Sequence, residues 1–322
     1  MSRGQKSMEA HRGAIEQAVD EVYAYHDLPG LAVGVKIGEN SPLPAAGLDL
    51  SSVRGYADFE DKIPLDADAV FHMASVAKLF VAEGVAQLRD AGRLRTEDRL
   101  IDHLPWFRLD DPRHRAITVG QVLSHTAGFP DIGDYRWTEP EADRDALRRF
   151  VASSDVTAPP LLWAPGSGAF RYSNIGYDIL GALIAEVSGM AFETYMRERI
   201  FSKLGMRDST FLTFLRTPEG RAFAGRTMNG AVCANGARSR DAEQLRAALD
   251  PRNLLRHGAV MPHRKDANRR IVPQTYYPYN RAHAPSSTLT STLRDIKKWG
   301  DARIAAWGET SRRERARIPN SD

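Results

Sequence analysis

Apolar residues recur along this chain in short blocks, some at helical and some at strand spacing. Ile15, Val19, Val22 and Tyr23 fall three and four residues apart, which predicts a helix over 8–26 that Leu28-Pro29-Gly30 brings to an end. The β-branched run 31–38 predicts a strand, and a Gly/Pro/Ser-rich stretch to Leu50 leads to a second near 53–59, so the pair predicts a hairpin. Phe80, Val81, Val85 and Leu88 mark an amphipathic helix running on from Ser75, with Gly92 placed to close it. Residues 93–170 read as loop with short helices, one of them over 142–151. Two apolar stripes follow: Ile175, Ile179, Leu180, Leu183, Ile184 and Val187, ended by Gly189, and then Phe192, Tyr195, Met196 and Ile200. Thr292, with Asp295 three residues on, has capping-box spacing and predicts a last helix that turns Ile296 and Trp299 inward.

With 322 residues, 42% of them hydrophobic and 26% charged, the chain can bury a substantial core. One catalytic unit of two lobes is favoured over two independent domains. Lys+Arg 44 against Asp+Glu 41 gives a net charge of only +3, mixed along most of the chain, so no nucleic-acid partner is expected. The exception is 221–270, where Lys and Arg outnumber Asp and Glu. It lacks interleaved aromatics, so residues 220–272 read as a solvated basic insert or long loop rather than an RNA-binding patch. The Arg-rich segment 311–322 reads as a disordered tail, leaving 8–310 as the folded domain.

Cys233 is the lone cysteine, so no internal disulfide is expected. Residues 1–9 lack the apolar core of an export signal, and no apolar run approaches the roughly 18 residues of a membrane span. The expectation is a cytoplasmic protein without a membrane partner. The nine histidines form no H-E-x-x-H or paired-ligand spacing, so neither a metal nor another cofactor is expected.

Ser75-Val76-Ala77-Lys78 places a hydroxyl and an amine three residues apart at the start of a helix. Such positions share a face, with Cβ atoms about 5–6 Å apart, so Lys78 can reach Ser75. A serine hydroxyl is a weak nucleophile until a base takes its proton, and a lysine serves once its pKa is lowered. The helix N-terminus favours negative charge developing beside Ser75. Tyr172-Ser173-Asn174 stands just before the apolar helix at 175. Tyr172 offers a phenol for proton relay, and Asn174 an amide that can orient a carbonyl or the lysine. The alternative for this tripeptide is a plain N-cap, with Ser173 or Asn174 capping the helix.

Taken together these residues resemble the serine β-lactamase, penicillin-binding protein and esterase superfamily, to which the S-x-x-K tetrad is tied. The resemblance is closest to the branch with Tyr-x-Asn as second motif: class C β-lactamases, D-alanyl-D-alanine carboxypeptidases and family VIII esterases. It runs from about Leu28 to about Trp299, with further matching stretches at 122–130, 163–166, 201–206 and 284–289. It implies an α+β, β-lactamase/transpeptidase-like fold, an antiparallel sheet flanked by helices plus a mostly helical lobe. It also implies acylation of Ser75, proton transfer by Lys78 and Tyr172, and substrate binding by Asn174, with Asp131 and Ser287 lining the pocket. His125 and His72 are read as structural.

The family's third motif, Lys-Thr-Gly or a His-x-Gly or Trp-Gly-Gly variant on a strand, has no clear counterpart. His11-Arg12-Gly13 lies in the predicted first helix, and Trp307-Gly308-Glu309 is a partial match. On this reading the C-terminal strands are missing, with one oxyanion donor, whose loss costs about 10²–10³ in rate. The expected substrate is a small ester, amide or β-lactam, and a homo-oligomer is compatible. The leading expectation is an esterase or peptidase, because no export signal is found. The alternatives are a β-lactamase or D-Ala-D-Ala carboxypeptidase and, from another class, a truncated or non-catalytic binding protein.

Overall fold

The hairpin read from the sequence lies between the first and last long helices. The computed structural model describes residues 3–39, 41, 45–227 and 239–317. Helix α1 (Arg3–His26) leads into strand β1 (Gly30–Lys36), which pairs antiparallel with β2 (Asp49–Asp58) from Gly30 opposite Gly55 to Lys36 opposite Asp49. The short β3 (Ile63–Pro64) extends the sheet in the order β1-β2-β3. Side chains alternate across a strand, so the two faces of β2 meet different helices. Ser52 and Arg54 face α1, where Ser52 donates to Glu16 at 2.6 Å and Arg54 pairs with Glu16 and Asp20. Asp49 and Ser51 face the last helix, α7 (Leu293–Arg317), through Lys297. Gly34 allows that approach, since a Cβ there would stand 2.8 Å from Leu293 Cδ1.

The main core forms where α2 (Ala77–Asp90) meets α3 (Asn174–Ser188). Phe80, Val81, Val85 and Leu88 bury against the cluster holding Ile179, Leu180, Leu183 and Ile184, each worth about 1.5–3 kcal/mol of apolar transfer. Gly92 and Gly189 follow these helices at φ +69° and +72°, the left-handed conformation that closes a helix. Among the described residues no single helix is long and apolar enough to cross a membrane.

The basic stretch differs from its expectation of a solvated loop. It holds α4 (Pro218–Thr227), α5 (Ser239–Ala248), α6 (Pro251–Arg256) and the hairpin of β5 (His263–Lys265) and β6 (Ile271–Pro273); residues 228–238, Cys233 among them, lie outside the described residues. Phe223, Leu245, Ala248, Leu249 and Leu254 bury with Phe214, Tyr277 and Tyr279 in a second core. The spacing of 245, 248 and 249 is helical, and the density of arginine around it masks the stripe. The last helix also continues past Ser311, where a tail is expected, to Arg317. Ser311–Arg317 holds neither Gly nor Pro and is rich in the helix formers Arg, Glu and Ala, and Pro319 is the first strong breaker. Residues 318–322 lie outside the described residues.

A two-stranded ribbon positions the site. Strand β4 (Val70–His72) pairs antiparallel with β7 (Thr290–Thr292), His72 opposite Thr290, and Met73 N–H extends the pairing to the Leu289 carbonyl at 2.8 Å. The chain entering Ser75 and the chain leaving the turn at 284–287 are therefore held side by side.

Candidate active site

Ser75 lies in a single 3-10 turn, Ala74–Val76, between the end of β4 and the start of α2, and it is exposed. Ala74 has φ +45°, a left-handed conformation that costs a non-glycine residue about 1 kcal/mol or more. That turn presents the Ser75 hydroxyl at the N-terminal end of α2, where the helix dipole favours negative charge.

Lys78 is buried, and its Nζ has three oxygen atoms within hydrogen-bond distance. Nζ donates to Ser75 Oγ at 3.1 Å, Asn174 Oδ1 at 2.8 Å and the Ser286 carbonyl at 2.7 Å. A lysine has three N–H donors, so every one is used. Tyr172 Oη donates to Ser75 Oγ at 2.7 Å, and Lys78 Nζ stands 4.9 Å from the centre of the Tyr172 ring. The helix cap falls to Ser173, whose Oγ accepts Gly176 N–H at 3.2 Å, leaving the Asn174 side chain to Lys78.

Asp131 reaches this group at its edge. Its Oδ2 is 3.5 Å from Asn174 Nδ2, while Oδ1 takes the hydroxyl of Tyr135. Burial first, and the Asp131 carboxylate second, push the Tyr135 phenol well above its ordinary pKa. Ser287 directly follows the residue whose carbonyl meets Lys78; its own hydroxyl is buried and lies 3.3 Å from Ser286 Oγ. The contact with Lys78 is made by the carbonyl of Ser286, in the turn 284–287.

A family model described as Beta-lactamase matches residues 15–320. The chain belongs to the β-lactamase family. Penicillin-binding protein 4 of Amycolatopsis lactamdurans is 34% identical to it over 199 residues, covering 61% of this chain and 48% of that relative. Among solved structures, the octameric penicillin-binding protein homologue from Pyrococcus abyssi matches with a TM-score of 0.60 at 21% identity, over 89% of this chain and 55% of the other. D-amino acid amidase from Ochrobactrum anthropi SV3 matches with a TM-score of 0.62 at 19% identity, over 94% and 70%. The chain spans less than half the length of the first curated relatives it matches. The fold is α+β and β-lactamase/transpeptidase-like, as in these neighbours, and the family match places the chain in the serine β-lactamase and penicillin-binding protein superfamily.

Several residues of this β-lactamase-family chain are placed by packing. His125 takes φ +59°, its Nδ1 accepts Ser173 N–H at 3.1 Å, and its ring lies 4.6 Å from that of Tyr172 and 5.0 Å from that of Tyr177. Burial, and then the charge of Lys78, lower its pKa. His72 packs edge-on against Tyr277 at 5.8 Å with Nε2 sealed and unpartnered, and burial holds its pKa at about 4. His11-Arg12-Gly13 and Trp307-Gly308-Glu309 both fall within helices, α1 and α7, so neither supplies a strand-borne third motif.

Sequence reasoning missed Ser286, Asp178 and His283. The carboxylate of Asp178 is fully buried, its Oδ2 3.0 Å from His283 Nδ1 and its Oδ1 accepting Ser286 N–H at 3.2 Å. Burial pushes this carboxyl up, and the hydrogen bond from His283 opposes the shift. One signal was present: Asp178 is an acid inside the most apolar helix of the chain, one turn after Asn174.

Proposed function

We propose that this chain is a serine hydrolase that forms an acyl-enzyme on Ser75 and acts on a small ester or amide. The observation that carries the reading is the convergence of Lys78 Nζ and Tyr172 Oη on one serine oxygen, at 3.1 and 2.7 Å. A neutral Lys78 that keeps its two N–H bonds to Asn174 and Ser286 turns its lone pair toward Ser75. The hydroxyl proton passes to Nζ as Oγ attacks the substrate carbonyl, and a tetrahedral oxyanion forms near the start of α2. Tyr172, the more exposed of the two groups, relays the proton to the leaving oxygen or nitrogen as the C–O or C–N bond breaks. Water then attacks the ester on Ser75, gives a proton to the same pair, and releases the carboxylic acid with Ser75 restored.

Ester, peptide and β-lactam pass through the same kind of tetrahedral intermediate, so the residues at Ser75 do not choose among them. The structural neighbours include a D-amino acid amidase and the hydrolase EstCE1 beside class C β-lactamases, so substrate turnover is what separates these classes. The test is turnover of three substrate sets by the purified chain: p-nitrophenyl esters, D-amino acid amides and a chromogenic cephalosporin. The proposal expects Ser75-dependent turnover of an ester or amide. Turnover of the cephalosporin alone would replace it with a β-lactamase, and turnover of none would leave a binding protein.

A further inference from the structure

Asn174 and Asp178 stand one turn apart on the same face of α3, and both lead to Lys78. Asn174 reaches it directly, through Oδ1 at 2.8 Å. Asp178 reaches it through the turn at 284–287. Its two oxygens hold that turn at two points, Ser286 N–H at 3.2 Å and the His283 ring at 3.0 Å. Ser286 Oγ ties back to the His283 carbonyl at 3.2 Å, and Pro285 is seated on Gly181, where a Cβ would lie 2.0 Å from Pro285 Cγ. From the turn so fixed, the Ser286 carbonyl leaves toward Lys78 Nζ at 2.7 Å.

His283 is buried among aromatic rings. The rings of Phe150, Tyr135 and Trp137 stand edge-on around it at 4.4, 4.9 and 5.4 Å. Tyr135 pairs with Asp131, and Asp131 touches Asn174, so the chain of contacts closes on the residue where it began.

An amine with two of its substituent directions fixed by acceptors has its third fixed as well. Lysine is otherwise a point charge on a flexible four-carbon stem. We propose that the buried Asp178–His283 pair is a positioning device for Lys78: it sets the Ser286 carbonyl so that the remaining direction of Nζ faces Ser75 Oγ. This rests on the reading of Ser75 as the nucleophile. Asp178 and His283 are positioning residues, touching neither substrate nor Ser75.

Asp178→Ala, Asp178→Asn and His283→Gln test the proposal with two readouts, taken on protein shown to be folded by circular dichroism and melting. One is the rate of fluorophosphonate addition to Ser75; the other is the 13Cε signal of Lys78 in 13C-lysine protein, assigned with Lys78→Arg. Leu245→Ala, in the second core, is the control for stability loss alone. Asp178→Ala is expected to shift the Lys78 signal and slow labelling about 100-fold, the scale of a displaced catalytic group. Asp178→Asn keeps an oxygen for Ser286 N–H and is expected to recover most of the rate. His283→Gln is expected to shift the signal in the same direction, and it carries the test if Asp178→Ala does not fold.

Folded Asp178→Ala or His283→Gln with the Lys78 signal and labelling rate of the wild type overturns the proposal. So does a Leu245→Ala that changes both as much. If the wild type takes no adduct at all, the nucleophile reading fails, and the Lys78 signal still decides the positioning claim: unchanged in the variants it refutes the claim, shifted it supports it.

Discussion

His125 Nδ1 accepts the backbone N–H of Ser173 at 3.1 Å, so this imidazole fastens the loop at 125 to the start of α3. A nitrogen that accepts an N–H is unprotonated, and the lowered pKa of His125 keeps it so at neutral pH.

His125→Asn is therefore expected to keep activity within about threefold, since asparagine supplies an acceptor and tolerates positive φ. His125→Val, β-branched at φ +59°, is expected to cost about 1–3 kcal/mol in chemical denaturation. A loss of about 100-fold or more in ester turnover by a His125→Asn protein of unchanged melting temperature would give the histidine a chemical role.

Lys78 and Tyr172 are separable by substitution. Lys78→Arg puts a permanent cation in place of the amine and cannot take the Ser75 proton, so it is expected to fall as far as Lys78→Ala, by about 10²–10⁴ in acylation rate. Tyr172→Phe removes the bond to Ser75 Oγ and is expected to lose about 10²-fold. Stopped-flow bursts with p-nitrophenyl acetate give these rates; a Lys78→Arg burst near wild type would show that Lys78 only supplies charge.

His72 predicts acid lability. Its pKa is about 4 in the folded chain against 6.5 when exposed, so between those values the unfolded state binds a proton that the folded state does not. The unfolding free energy falls as pH drops from above 6.5 toward 4, by about 3 kcal/mol from this group alone, and its contribution levels off below 4. Urea titrations at several pH values on wild type and His72→Phe measure the difference; equal slopes would remove His72 from the account.

Gly181 predicts a packing effect that reaches the site. A methyl group there must displace Pro285, so Gly181→Ala is expected to cost about 1–3 kcal/mol and to slow acylation as the 284–287 turn moves. Unaltered melting and activity would show that α3 and the turn can separate freely.

Short-range patterns were legible in the sequence, and long-range main-chain geometry was not. The helix following Ser75, the cap glycines and the Ser173 cap or its alternative all follow from spacing within one turn. Thr292 also behaves as a cap, its Oγ1 accepting Asp295 N–H at 3.2 Å, but the Asp295 carboxylate turns to Asp208 N–H and Ser209 instead of closing a box. Ser287 was expected to line the pocket, whereas the contact with Lys78 is a carbonyl from Ser286, and a carbonyl carries no residue-type signal. That contact spans 208 residues and depends on the pairing of β4 with β7, two strands of three residues each. The second core was hidden because its apolar positions are scattered among arginines.

The central claim is that Ser75 is the nucleophile, activated by Lys78 and Tyr172. Intact-mass spectrometry of the folded chain after treatment with a fluorophosphonate, beside Ser75→Ala, tests it most directly. The account predicts one covalent adduct on the wild type and none on Ser75→Ala. An unlabelled wild type, or a Ser75→Ala protein that labels equally, would contradict it.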